Sequence, residues 1–334
     1  MKVLIYTVPY MMNATYYIDI GYANAFHVLG HDVHLLQYGN PLPDERIFVP
    51  DISISCFHIA YSEETDYAML AKYKERFGTR IVVWGLPFDV PAEGYTDELT
   101  GMHPKSHLDM MEREFFDLCL TFYPAEGVEM YYRPWSDEFG IPVLSLPLAA
   151  DTSVFNPCKG VNEYRSDLCF IGGIHRTKQD PFDTYIRPLL DKYTMVAAGK
   201  GWDGWPVKRI SLAYGEEPRV LSSASVIPNI HMDLSREVPA MPPNMRTFQS
   251  IAGGGFVVSD HVPALRHYFQ EEEVPMGLEP DDYMEKIDFF MNHPEERHQY
   301  WSRAYSRLLE EHTYVHRVRR LLAELSPTVL QEGW

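Results

Sequence analysis

Apolar, β-branched runs alternate along this chain with segments whose apolar positions recur at helical spacing. That alternation is the sequence form of parallel sheets with helices packed on both faces. In the first half it predicts strands over residues 2–8, 32–38, 51–59, 80–85, 117–123 and 143–146. Between the first two, Ile18, Tyr22, Ala25 and Leu29 line one face of a helix, and Gly30 stands where that helix should stop. In the second half the pattern predicts strands over 167–171, 194–198, 226–230 and 256–259. Helices are expected over 182–192, 244–252, 280–292, 295–311 and 314–325, the last with Val315, Val318, Leu321, Leu322 and Leu325 along one side. Residues 150–163 are polar, contain proline and have no period, which marks a linker. The expected organisation is α/β, with two doubly wound Rossmann-like domains over 1–155 and 156–310 and a terminal helix within 311–334 that crosses back to the first. No internal repeat or low-complexity tract interrupts it.

Composition narrows the class. A length of 334 residues suits two domains of about 150 residues each. Hydrophobic residues at 46% and charged residues at 23% are globular values. No apolar run approaches the roughly 18 residues of a membrane span. The start, Met-Lys-Val-Leu-Ile-Tyr, reads as a first strand and not as a signal peptide, so a cytoplasmic protein is expected. Cys56, Cys119, Cys158 and Cys169 form no C-x-x-C pair, so free thiols are expected and no metal site. The formal net charge of −18 opposes binding to a phosphate backbone or an anionic membrane, though a local basic patch can still hold a phosphate.

The loop between residues 8 and 18 contains no glycine, and neither G-x-G-x-x-G nor a P-loop motif occurs, which disfavours dinucleotide and P-loop chemistry. That loop carries Tyr10, Asn13, Tyr16 and Tyr17 at the carboxyl end of a strand, where such sheets bind ligands. Aromatic and amide groups there suit a hydroxyl-rich acceptor, with ordinary loop packing as the alternative. In the second half, the strand from Asp167 ends in Gly172 and Gly173, followed by Arg176 and Lys178. Glycines let a phosphate approach the main chain, and the two cations can neutralise it. The segment from Pro242 to Asp260 is the most informative. Pro243 and Asn244 open a short helix whose free amides and dipole favour an anion, with Arg246 and Thr247 in its first turn. Gln249 stands one turn further on, within reach of a ribose beside a pyrophosphate seat. The alternative is a capped helix whose glycines serve packing alone.

These pieces, taken in order, resemble the CgeB-type glycosyltransferases, a GT-B group related to the glycosyltransferase family 1/4 C-terminal domain. The matching stretches are Ile171-Gly-Gly with Arg176 and Lys178, Gly199-Lys-Gly-Trp202, Val226-Ile-Pro-Asn-Ile-His231, Arg246-Thr-Phe-Gln249, Ile251-Ala-Gly-Gly-Gly-Phe-Val-Val-Ser-Asp260, His293-Pro-Glu-Glu-Arg297 and Glu311-His-Thr-Tyr-Val-His-Arg317. Leu29-Gly-His-Asp-Val33, Val83-Trp-Gly-Leu-Pro87 and Leu146-Pro-Leu-Ala-Ala-Asp151 add weaker matches in the first half.

The resemblance implies a GT-B fold, its two domains facing across a cleft, and transfer of a sugar from a nucleoside diphosphate sugar to a hydroxyl-bearing acceptor. It implies a donor held by the second domain, UDP- or dTDP-linked, with no metal and no cofactor besides that co-substrate. Gly172, Gly173, Arg176, Lys178, Asn244, Arg246, Thr247 and Gln249 would bind the donor, with Gly199 and Trp202 near the nucleotide. His231 would face the cleft; a buried, satisfied histidine is the alternative. Retention of configuration is expected over inversion, and an inverting enzyme would draw its base from the first domain, with Asp89 as the candidate. The chain departs from the family at Gln249, where a glutamate is usual, and at Met241, where no acid stands eight positions earlier. An amide can accept from a ribose hydroxyl but carries no charge. A GT-B epimerase or hydrolase, or a non-catalytic nucleotide-sugar-binding module, are the alternatives.

Overall fold

The computed structural model describes residues 1–9, 14–56, 64–84, 115–133, 136–137, 140–174, 179–231 and 240–325. The chain divides into two compact units, Met1–Pro147 with Val315–Trp334, and Leu148–Tyr314. The first contains β1 (Lys2–Thr7), α1 (Ala14–Val28), β2 (Asp32–Gln37), β3 (Ile52–Cys56), α2 (Tyr67–Phe77), β4 (Arg80–Trp84), β5 (Leu118–Thr121) and β6 (Val143–Ser145). All six strands are parallel, in the order β2-β1-β3-β4-β5-β6. β1, β3, β4 and β5 are almost wholly buried, as continuous apolar runs require in a sheet covered on both faces. From β1 the chain winds outward to β2 and then returns to β3 on the other side, so crossovers of one hand place successive helices on opposite faces.

The second unit contains β7 (Ser166–Ile171), α3 (Gln179–Tyr185), β8 (Met195–Ala198), β9 (Lys208–Ile210), α4 (Glu217–Leu221), β10 (Ala224–Asn229), α5 (Met245–Ala252), β11 (Val257–Ser259), α6 (Pro280–Asn292) and α7 (Pro294–Glu311). Its five parallel strands run β11-β10-β7-β8-β9, so the winding reverses between β7 and β10. The core around them joins Phe170, Phe182, Tyr185, Trp202, Val258, Tyr283 and Ile287. Each unit is thus a parallel α/β sheet wound in both directions, as the sequence pattern leads one to expect.

The final helix, α8 (Tyr314–Leu325), belongs to the first unit from Val315 onward. Its Val318 and Leu321 are fully buried, and Arg317 Nε donates to the Pro147 carbonyl at 2.6 Å. The segment 150–163, expected as a linker, is part of the second unit. Its polar backbone is not loose: the Cys158 and Val161 amides donate to the Ser222 and Ser223 hydroxyls at 3.2 and 2.7 Å. The helix expected over 182–192 is two pieces, α3 and a 3-10 turn at Arg187–Asp191, because Pro188 lacks the amide that would carry the helix through.

Candidate functional site

Open α/β sheets bind ligands outside the strand carboxyl ends where the winding reverses. In the second unit that point lies between β7 and β10, and helix α5 starts beside it. Asn244 caps α5 from extended backbone: its side-chain oxygen accepts from the Thr247 amide at 3.1 Å, and its Nδ2 donates to the Ile230 carbonyl at 3.3 Å. The helix end is therefore fastened to the end of β10. The first-turn amides of Met245 and Arg246 face whatever lies beyond the helix.

Arg246 leaves that first turn and bridges the two strand ends. Its Nε donates to the Ile171 carbonyl at 3.0 Å. Its Nη1 donates to the Ile230 carbonyl at 3.2 Å and to Asn229 Oδ1 at 3.3 Å. The guanidinium lies over the Phe170 ring, 4.0 Å from its centre. Every one of these partners is uncharged, and no carboxylate among the described residues forms an ion pair with it. Burial lowers its pKa to about 10, opposed by the more distant Asp260, so the group remains a cation at neutral pH. Gly172 makes room for it: a Cβ there would sit 2.8 Å from Arg246 Nη2.

A second set of contacts braces the loop after β7. The Gly172 amide donates to the Ala198 carbonyl at 2.8 Å, and the Ile174 amide to the Lys200 carbonyl at 2.9 Å. Gly199 is at φ +122°, and a Cβ on it would lie 2.5 Å from the Gly172 carbonyl oxygen, so no other residue lets the two loops touch. Trp202 is 1% exposed and donates from Nε1 to the Gly172 carbonyl at 2.9 Å. It is a brace under the loop, not a free surface for a base, because its ring packs in the Phe170–Phe182 cluster.

His231 is also held. Its side chain is 2% exposed; Nδ1 meets Asp260 Oδ1 at 2.6 Å, and Nε2 accepts from the Asn244 amide at 3.0 Å. The Asp260 carboxylate also accepts from the His231 amide at 2.9 Å. Both ring nitrogens are thus committed, with Nδ1 carrying the proton and Nε2 the lone pair. His231 is buried, with both ring nitrogens hydrogen-bonded within the protein. Thr247, expected against the donor, is fully buried: its hydroxyl accepts from Asn229 Nδ2 at 2.9 Å and lies 3.3 Å from Asn244 Oδ1.

The structure therefore brings Gly172, Gly173, Gly199, Trp202, His231, Asn244, Arg246 and Thr247 to one edge. Gln249 is half-buried one turn further along α5. Tyr16 lies in the first unit, on the first turns of α1 and edge-on to Tyr17 with ring centres 6.0 Å apart. Tyr10, Asn13, Asp89, Arg176 and Lys178 lie outside the described residues. Sequence reasoning missed Asp260 and Asn229 as members of the network and Phe170 as the ring under Arg246. Among the described residues no group of His, Cys, Asp and Glu has the arrangement of a metal site, and no helix is long and apolar enough to cross a membrane. A cavity of about 320 Å³ opens at the opposite, amino-terminal edge of β10, lined by Ser225, Cys158, Arg297 and Trp301. Its arginine is not matched by a capped helix or a strand switch, so the carboxyl edge is the better candidate.

A family model described as glycosyl transferase-like matches residues 176–323, somewhat less than half of the chain. No protein in a curated set matches the sequence. Among solved structures, an α-glucosyltransferase in complex with UDP and DNA is similar at TM-score 0.66 and 11% identity, covering 98% of this chain and 99% of that one. Sucrose-phosphate synthase from Thermosynechococcus elongatus is similar at TM-score 0.66 and 12% identity, with the same coverage of 98% and 99%. HepE from Anabaena, in complex with UDP and glucose, is similar at TM-score 0.62 and 10% identity, covering 98% and 100%.

Proposed function

We propose that this chain is a glycosyltransferase that moves a sugar from a nucleoside diphosphate sugar, UDP- or dTDP-linked, to a hydroxyl-bearing acceptor. The observation that carries the reading is Arg246, a half-buried cation held, among the described residues, by neutral groups beside the open end of a capped helix. A half-buried charge that no carboxylate among the described residues pairs with is costly to desolvate, and a diphosphate would supply an anion. The match of residues 176–323 to a glycosyl transferase-like family and the UDP complexes among its fold neighbours support the same ligand.

In the proposed reaction the bond between the anomeric carbon and the diphosphate oxygen breaks, and negative charge grows on the leaving phosphate. Arg246 and the first-turn amides of α5 stabilise that charge, so no metal ion is needed. The acceptor hydroxyl bonds to the anomeric carbon and gives its proton to the departing phosphate, which retains configuration without a strong protein base. His231 and Asp260 hold the helix end in place and do not touch the sugar.

The test is a screen of UDP-, dTDP- and GDP-sugars for nucleoside diphosphate release, with glycans, small alcohols and duplex DNA as acceptors. DNA belongs in it because one fold neighbour is bound to DNA, although a net charge of −18 opposes that acceptor. Glycosylated product supports transfer. Donor turnover without product makes the chain a hydrolase or epimerase, binding alone makes it a module, and no binding removes the reading.

A further inference from the structure

β10 is an interior strand, with β11 on one side and β7 on the other, yet it contains Pro228. Proline has no amide proton and is normally excluded from such a position. The direction of the missing bond follows from its neighbours. The Ile227 amide donates to the Phe256 carbonyl on the β11 side, at 2.7 Å, and amides alternate in direction along a strand. The Leu168 amide of β7 donates to Thr194, on the β8 side. An amide at position 228 would therefore face β7. Pairing between β10 and β7 stops at Val226 with Leu168, whereas β10 pairs with β11 to Asn229 and β7 pairs with β8 to Ile171. The gap is confined to one seam, at its carboxyl end.

Arg246 occupies that gap. Its Nε and Nη1 take the carbonyls of Ile171 on β7 and Ile230 just beyond β10, which a ladder continued to the edge would draw toward strand amides. We propose that Pro228 is a positioning residue: by ending the β7–β10 ladder early, it keeps the strand ends apart and reserves their carbonyls for Arg246. An arginine wedge then replaces ladder hydrogen bonds and sets the guanidinium at the switch point. The inference deepens the diphosphate reading for its ligand but stands on the strand geometry alone. It also predicts an unusual trade: a residue with an amide at 228 closes the seam, favouring the sheet while displacing the cation.

The experiment compares wild type with Pro228→Val and Pro228→Ala. UDP affinity is read by calorimetry, the melting temperature without ligand by calorimetric scanning, and the Arg246 Nε–H resonance by NMR, assigned through its loss in Arg246→Lys. The expected result is UDP affinity lower by about fivefold or more, the scale of a displaced charge-assisted hydrogen bond, a melting temperature unchanged or higher, and faster solvent exchange at Arg246 Nε. Unchanged affinity and unchanged exchange would overturn the proposal. A fall in melting temperature with wild-type exchange at Nε would also overturn it, since Pro228 would then serve packing alone. If wild type does not bind UDP, the diphosphate reading fails, and the ligand-free exchange measurement still decides the role of Pro228. Should Pro228→Val not fold, the smaller Pro228→Ala carries the same comparison.

Discussion

The carboxyl edges of the two sheets are built alike but hold opposite kinds of ionisable group, an acid in one and a base in the other. Each sheet reverses its winding once, between β1 and β3 in the first unit and between β7 and β10 in the second. In the first, helix α1 buries Asp19, which accepts from Trp84 Nε1 at 3.2 Å, and burial raises the acid well above its ordinary value. In the second, the first turn of α5 carries Arg246, which is half-buried, and desolvation brings its pKa down only to about 10. The same desolvation has different consequences because the two groups start from opposite ends of the scale. A carboxyl can escape its burial cost by taking a proton, whereas a guanidinium cannot lose one near neutrality. Architecture places a ligand-ready edge in both units, and the side chain decides which edge calls for an anion.

The largest effect that would sharpen this contrast is structural. Gly199→Val forces a β-branched side chain into positive φ and against the Gly172 carbonyl, at a cost of roughly 3–5 kcal/mol. Chemical denaturation should show that loss together with the loss of UDP binding; an unperturbed midpoint would mean that the two loops do not need to touch. Next comes Arg246→Ala, which should weaken UDP binding by about 1–3 kcal/mol in calorimetry, the range of charge-assisted hydrogen bonds. Equal affinity would erase the difference between the two edges.

A smaller effect concerns the first unit. Because the folded pKa of Asp19 is raised, its contribution to stability is full below the unfolded value near 4 and is lost as pH rises toward the folded value. Asp19→Asn keeps an acceptor for Trp84 and should flatten the fall in melting temperature above about pH 4, leaving the variant at least as stable as wild type at pH 7. An identical pH profile would show that Asp19 is not the titrating group. The smallest expected change is none: a chelator should leave UDP affinity unaltered if Arg246 and the α5 amides carry the diphosphate, and dependence on an added divalent ion would contradict that.

Much of this was legible in the chain, for identifiable reasons. Strands such as β4 and β7 are buried on both faces, so their apolar runs stand out, and α6 and α8 begin and end where their periodicity does. Asn244 was readable as a cap because an N-cap is a local signal. The edge strand β9 has two exposed residues in three and no apolar signature. Helix α2 was missed although Asp66 caps its start and Gly78, at φ +75°, its end; its mixed charge hid the stripe formed by Leu70 and Tyr73. The meeting of His231 with Asp260 depends on the register that sets Asn229 beside Ser259, which no local pattern encodes. Pro228 was visible, but its meaning required knowing that β10 is an interior strand.

The most direct measurement is a crystal structure with UDP bound. The diphosphate is expected at the start of α5, within hydrogen-bonding distance of the Arg246 guanidinium and the first-turn amides, with His231 still closed between Asp260 and Asn244. UDP bound at the Arg297 cavity on the opposite edge, or a diphosphate out of reach of Arg246, would contradict it.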